Sequence, residues 1–154
     1  PFELLLEYSG TQAARLTLEL IFEEESRFRL TVDHVDSVLT VDRSPLLPEA
    51  ASGPKPLKEN PESPTPEEAI TRAPLPLTEG SVGDLCLLVD RSSVEVFCLG
   101  GTLTVTERIF PADGGCGQPA VRFEAPDARG IVTRCVVYPL RSIWRRPSGA
   151  AGRC

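Results

Sequence analysis

Two glutamates, Glu95 and Glu107, lie on neighbouring strand-like segments, and paired carboxylates are what glycosidic bond cleavage uses. A retaining glycosidase holds its two carboxyls about 5–5.5 Å apart in a cleft. Glu95, however, is flanked by Val94 and Val96 in a regular alternating run. The simpler expectation is a strand carboxylate paired with an arginine such as Arg108 or Arg122. Asp33-His34-Val35-Asp36 holds the only histidine; two acids and an imidazole could be half a metal site, but the same residues serve turn geometry. A serine nucleophile needs a histidine base, and one histidine with no Gly-x-Ser-x-Gly context does not supply it. Glu23-Glu24-Glu25 reads as a solvated loop. The sequence therefore assigns no catalytic residue, no cofactor-binding residue and no metal ligand.

The five cysteines, Cys86, Cys98, Cys116, Cys135 and Cys154, form no Cys-x-x-Cys pair, which argues against a zinc site. Their odd number favours free, mostly buried thiols; a bridge between Cys86 and Cys98, on adjacent segments, stays open as an alternative. Asn60 is the sole asparagine and precedes Pro61, so there is no N-glycosylation acceptor.

The elements that would position these residues are strands. Leu16, Leu18, Leu20 and Phe22 alternate with polar positions, which places one side of a strand in a core. The pattern returns in Phe28–Val32, Leu103–Thr106 and Val121–Phe123. With Phe2–Tyr8, Val38–Asp42, Leu85–Val89, Val94–Cys98 and Ile131–Tyr138, about nine strands are expected. No apolar stripe of helical period runs for ten residues or more. The expected fold class is all-β, a two-sheet antiparallel β-sandwich, a shape that resembles concanavalin or lectin-like modules. Gly100-Gly101 suits a two-residue hairpin turn, and the quartet Val-Asp-Arg-Ser recurs at 41–44 and 89–92 as two similar strand-to-turn corners.

Residues 45–76 break the pattern. They hold nine of the fifteen prolines, and proline removes a backbone donor and restricts its predecessor, so neither helix nor interior strand is expected there. The segment reads as an acidic, extended loop inserted within one sandwich domain spanning 1–144, with 145–154 as a disordered tail.

Several segments resemble one family in order and spacing. They are Phe2–Tyr8, Leu39–Ser44, Arg72–Leu75, Leu88–Phe97, Thr106–Pro111 and Tyr138–Trp144. Together they resemble the C-terminal β-sandwich of glycoside hydrolase family 32, the invertases, levanases, inulinases and sucrose-6-phosphate hydrolases. The stretch Leu88-Val89-Asp90-Arg91-Ser92-Ser93-Val94-Glu95-Val96-Phe97 carries most of that likeness, and residues 45–71 depart from it. The resemblance implies a parent enzyme that cleaves β-fructofuranosidic bonds in sucrose or fructans. It also implies that the catalytic acids lie on an N-terminal five-bladed propeller, in Asn-Asp-Pro, Arg-Asp-Pro and Glu-Cys motifs. None of those strings occurs here. The expected role is a non-catalytic module that stabilises the missing propeller and forms subunit contacts, homo-oligomeric ones among them. A stand-alone module for fructose-containing saccharides is the alternative, as is an interaction domain of a truncated relative.

Aromatic residues make up 6% of the chain, few for stacking on sugars; Trp144 is expected to seal the core or pack on a neighbouring domain. A net charge of -6 leaves no electrostatic reason to seek nucleic acid or anionic membrane, and Arg141, Arg145, Arg146 and Arg153 read as a solvated cluster. No apolar run approaches the ~18 residues that span a bilayer. Without a single methionine, the chain reads as a piece of a longer product; an extracellular, vacuolar or cytoplasmic setting fits equally.

Overall fold

The computed structural model describes residues 1–9, 15–22, 26–46, 68–76, 82–109, 119–125 and 132–141. Ten strands are present: β1 (Phe2–Ser9), β2 (Arg15–Ile21), β3 (Arg27–Asp33), β4 (Val38–Asp42), β5 (Ile70–Pro74), β6 (Val82–Val89), β7 (Ser93–Cys98), β8 (Leu103–Arg108), β9 (Ala120–Glu124) and β10 (Val132–Pro139). A 3-10 turn at Ser44–Leu46 is the one helical element among the described residues. The strands form two antiparallel sheets of five, ordered β10-β1-β6-β7-β8 (sheet A) and β5-β4-β3-β2-β9 (sheet B). This is the two-sheet sandwich expected from the alternation.

Side chains on a strand alternate between faces, so each strand gives every second residue to the interior. Sheet B contributes Leu16, Leu18, Leu20, Phe28, Leu30, Val32, Leu39 and Val41. Sheet A answers with Phe2, Leu4, Leu6, Tyr8, Leu85, Leu87, Val89, Val94, Val96 and Cys98. At about 25 cal/mol per Å² of apolar surface buried, this interleaved layer is the dominant stabilising term.

Strand β5 lies inside the segment expected to be a loop. Its Ile70–Pro74 run pairs with β4 from Asp42↔Ile70 to Val38↔Pro74. It is an edge strand, where a proline costs no ladder bond because the outer side has no partner. Residues 47–67, with most of the prolines, and the expected tail 145–154 lie outside the described residues.

The β7–β8 connection also departs from expectation. Cys98 pairs with Leu103, so the link is four residues rather than two. Leu99, Gly100 and Gly101 all have positive φ, at 53°, 63° and 83°. The Gly100 N–H donates to the Asp84 carboxylate at 3.0 Å, which ties this turn back to β6. Both Val-Asp-Arg-Ser corners use their aspartate as anticipated: Asp42 Oδ1 accepts from the Ser44 N–H and hydroxyl, and Asp90 Oδ1 from the Arg91 N–H.

The two edges of the sandwich differ. At the β8/β5 edge, Glu107 accepts a hydrogen bond from the Thr71 hydroxyl at 2.5 Å, and Arg43 Nε lies 3.0 Å from its other oxygen. At the β10/β9 edge, Phe2, Pro119, Val121, Val137 and Pro139 line an apolar groove.

Candidate functional site

Glu95 and Glu107 do not meet. Glu107 pairs across the ladder with Val94, the residue before Glu95, so the two carboxylates project from opposite faces of sheet A. Glu107 is buried, accepts from the Thr71 hydroxyl and pairs with an arginine as expected of a strand carboxylate, the partner being Arg43. Arg43 follows β4 in the other sheet, a partner that spacing along the chain does not reveal. Arg122 instead pairs with its own-strand neighbour Glu124.

Asp33 serves its turn. Its Oδ1 accepts from the N–H groups of Val35 (3.0 Å) and Asp36 (3.1 Å), while Oδ2 accepts from Arg15 Nε at 2.8 Å. Burial alone would raise this carboxyl, but the bonds from Asp36, Arg15 and Val35 hold it below the usual aspartate range. His34 packs edge-on against Tyr8, with ring centroids 5.5 Å apart, and burial lowers its pKa against the opposing pull of Asp33. Among the described residues no three His, Cys, Asp or Glu side chains converge as a metal site would.

Cys86 and Cys98 are free thiols. Cys98 sits opposite core Leu85, whereas Cys86 sits opposite Phe97, so they face opposite sides of sheet A and the alternative of a bridge is ruled out. Burial pushes the Cys98 thiol up to about 12. Cys116 and Cys154 lie outside the described residues, as do Glu23–Glu25 and Trp144.

What the structure does assemble is a polar cleft of about 600 Å³ on the outer face of sheet B. The register builds it in rows. Across the middle run Glu124, Thr17, Thr31, Thr40 and Arg72, directly opposite one another on five strands. One row over, Arg122, Glu19, Arg29 and Asp42 alternate in sign. On the other side lie Arg15, Asp33 and Val38.

The charges are fixed by one another. Arg29 Nε donates to Glu19 Oε1 at 2.9 Å, Arg27 lies 4.0 Å from the other Glu19 oxygen, and Arg29 Nη1 lies 3.9 Å from Asp42. Glu19 is thereby only 4% exposed although it sits on an outward face. Thr17 and Thr31 hydroxyls are 3.3 Å apart. Arg72 has no ion-pair partner among the described residues.

The arrangement offers fixed hydrogen-bond donors and acceptors. The backbones of Glu19 and Asp33 stand two rows apart, four residues along the strand or ~13 Å. Glu19 and Asp42 are separated by Arg29, which engages both. Among the described residues no aromatic ring lines the cleft. The sequence carried a signal for this face: Arg15-x-Thr17-x-Glu19 and Arg27-x-Arg29-x-Thr31-x-Asp33 are the polar half of the alternation that marked the core.

Comparison with known proteins places this geometry. The model of the C-terminal part of glycosyl hydrolases family 32 matches residues 2–138. Sucrose-6-phosphate hydrolase from Staphylococcus xylosus is 28% identical over 137 residues, 84% of this chain and 24% of that protein. The exo-inulinase of Aspergillus awamori superposes with a TM-score of 0.67 at 24% identity, over 93% of this chain and 25% of that one. A doubly substituted congerin II superposes with a TM-score of 0.55 at 17% identity, over 88% of this chain and 90% of that one. The chain thus spans about a quarter of the two hydrolases it resembles, and nearly the whole of a protein that is little more than the sandwich. The chain belongs to glycosyl hydrolases family 32, as the C-terminal β-sandwich domain of that family.

Proposed function

We propose that this sandwich is the non-catalytic module of a β-fructofuranosidase-type hydrolase, and that it stabilises a five-bladed propeller bearing the catalytic acids. The observation that carries this reading is the placement of Glu95 and Glu107 on opposite faces of sheet A. The two acids that spacing most favours as a glycosidase pair cannot share a substrate. The substrate of the parent enzyme is a sucrose or fructan, in keeping with the activities named for its relatives. Supplying the 154-residue chain in trans to a family 32 propeller expressed without its own sandwich tests the role. A raised melting temperature of the propeller is expected, and an unchanged one contradicts the assignment.

A second reading rests on the sheet B cleft. Its threonine row, flanked by pre-paired charges, presents fixed donors and acceptors to a neutral polyhydroxyl ligand such as a fructose-containing saccharide. Without an aromatic platform, binding would be weak. Calorimetric titration with fructose, sucrose, inulin and levan decides: saturable heat lost in Thr31→Val and Arg72→Ala supports it, and no heat removes it.

A further inference from the structure

The outer face of sheet B is not level. Its middle row, Thr17, Thr31 and Thr40, consists of short side chains directly opposite one another. The rows on either side carry longer ones, Glu19 with Arg29 on one flank and Arg15 with Asp33 on the other. Each flank is fixed by its own ion pair: Arg29 lies 2.9 Å from Glu19, and Arg15 Nε donates to Asp33 at 2.8 Å. A short row between two long, locked ones makes a trough. Because the row follows the register, the trough runs across the strands rather than along them. Glu124, paired with Arg122, stands at one end of the row and Arg72 at the other.

The dimensions of the trough select its ligand. Strands in a sheet lie ~4.8 Å apart, so the four steps from Glu124 to Arg72 span about 19 Å. The cleft measures about 600 Å³, roughly four times the ~150 Å³ that admits one benzene. Both measures give room for three or four sugar rings in line. The strand spacing is also close to the repeat of a linked sugar chain, so successive rings can meet successive threonines. A threonine hydroxyl both donates and accepts, which suits a ligand whose own groups are hydroxyls. Arg15 and Arg29 each already face a carboxylate, which leaves too few uncompensated cations along the row for a polyanion.

We propose that this cleft holds an unbranched, neutral oligosaccharide of three or four rings, laid across the strands from β9 to β5, with Thr17, Thr31 and Thr40 beneath it and Arg72 at one end. The assignment rests on the saccharide reading of the cleft and narrows it to a stretch of polymer, because a disaccharide such as sucrose fills only about half the row. Side chains already fixed on a rigid sheet cost little to order on binding, so each ring adds affinity until the row is used up.

Titrating the isotope-labelled 154-residue chain with inulin-type fructo-oligosaccharides of two to six rings, followed by backbone amide shifts, reads both place and length. The shifts should cross the sheet through Thr17, Thr31, Thr40 and Arg72. The dissociation constant should fall several-fold from two rings to four and level off beyond. Thr31→Val keeps shape and strand preference while removing the hydroxyl, and should weaken the four-ring ligand about five-fold, the worth of one net hydrogen bond. Thr31→Ser should restore most of the loss. Thr104→Val, on the outer face of sheet A, should change nothing. Four rings bound no tighter than two, shifts that follow one strand instead of crossing five, or Thr31→Val without effect overturns the seating while leaving saccharide binding in place. Absence of shifts at every length removes the saccharide reading itself, and the seating with it.

Discussion

Gly83→Ala should destabilise the sandwich far more than the addition of one methyl group suggests. Gly83 lies in β6 directly opposite Tyr8 of β1, and a Cβ built there falls 2.0 Å from Tyr8 Cζ, 2.3 Å from Cε2 and 2.4 Å from the hydroxyl. Carbon atoms in contact sit ~3.5–4.0 Å apart, so the ring must retreat by about 1.5 Å. The ring has little room to move: Tyr8 is 1% exposed, and His34 packs edge-on against it with ring centroids 5.5 Å apart. Overpacking a core costs ~1–3 kcal/mol, and expelling the ring instead forfeits up to the ~3–5 kcal/mol that burial of a large aromatic supplies. We expect about 3 kcal/mol of lost stability by the first figure's upper end, or a melting temperature lower by ~6–12 °C for a domain of this size. Urea unfolding followed by circular dichroism measures it. The cause is separable by a double-mutant cycle, because Tyr8→Leu removes the three atoms that clash. In that background Gly83→Ala should cost less than ~1 kcal/mol, or stabilise slightly through the smaller freedom of the unfolded chain. A cost within ~0.5 kcal/mol of zero in the parent, or one unchanged by Tyr8→Leu, refutes the steric reasoning.

The polar closures make two further predictions. Glu107→Ala should cost about 2 kcal/mol in the same urea assay, because it strands Arg43 and the Thr71 hydroxyl; the value lies below the ~3–5 kcal/mol of a fully buried pair since Arg43 retains some water. Asp33 has a folded pKa below its unfolded value of about 3.9, so its stabilising contribution is complete above that pH and is lost as pH falls through the folded value. Asp33→Asn should therefore be less stable than the parent at neutral pH and converge with it in acid; a gap that persists at low pH shows that the charge is not the cause.

The fold was legible because one face of nearly every strand is apolar, and a period of two needs no long-range information. The interior residues of β2 and β3 can be read straight from Leu16 to Val32. Strand β5 escaped because proline argues against strands in general, whereas at an edge Pro74 leaves the ladder intact. The β7–β8 link was misjudged for a related reason: Leu99 shares the left-handed conformation with Gly100 and Gly101, and nothing in leucine announces that. The site was harder. Glu107 finds Arg43 across the gap between sheets, and Glu19, Arg29 and Asp42 gather only once the strand order is known. Strand order follows from loop paths and long-range packing, and the local alternation is silent about both.

The account depends on this sandwich having no hydrolytic centre of its own. Its most direct test is fructose release from sucrose, inulin and levan by the purified 154-residue chain, followed to long times at high protein concentration. We predict release no faster than in buffer alone. Turnover that rises with protein concentration and disappears in Glu95→Gln or Glu107→Gln would contradict the central claim.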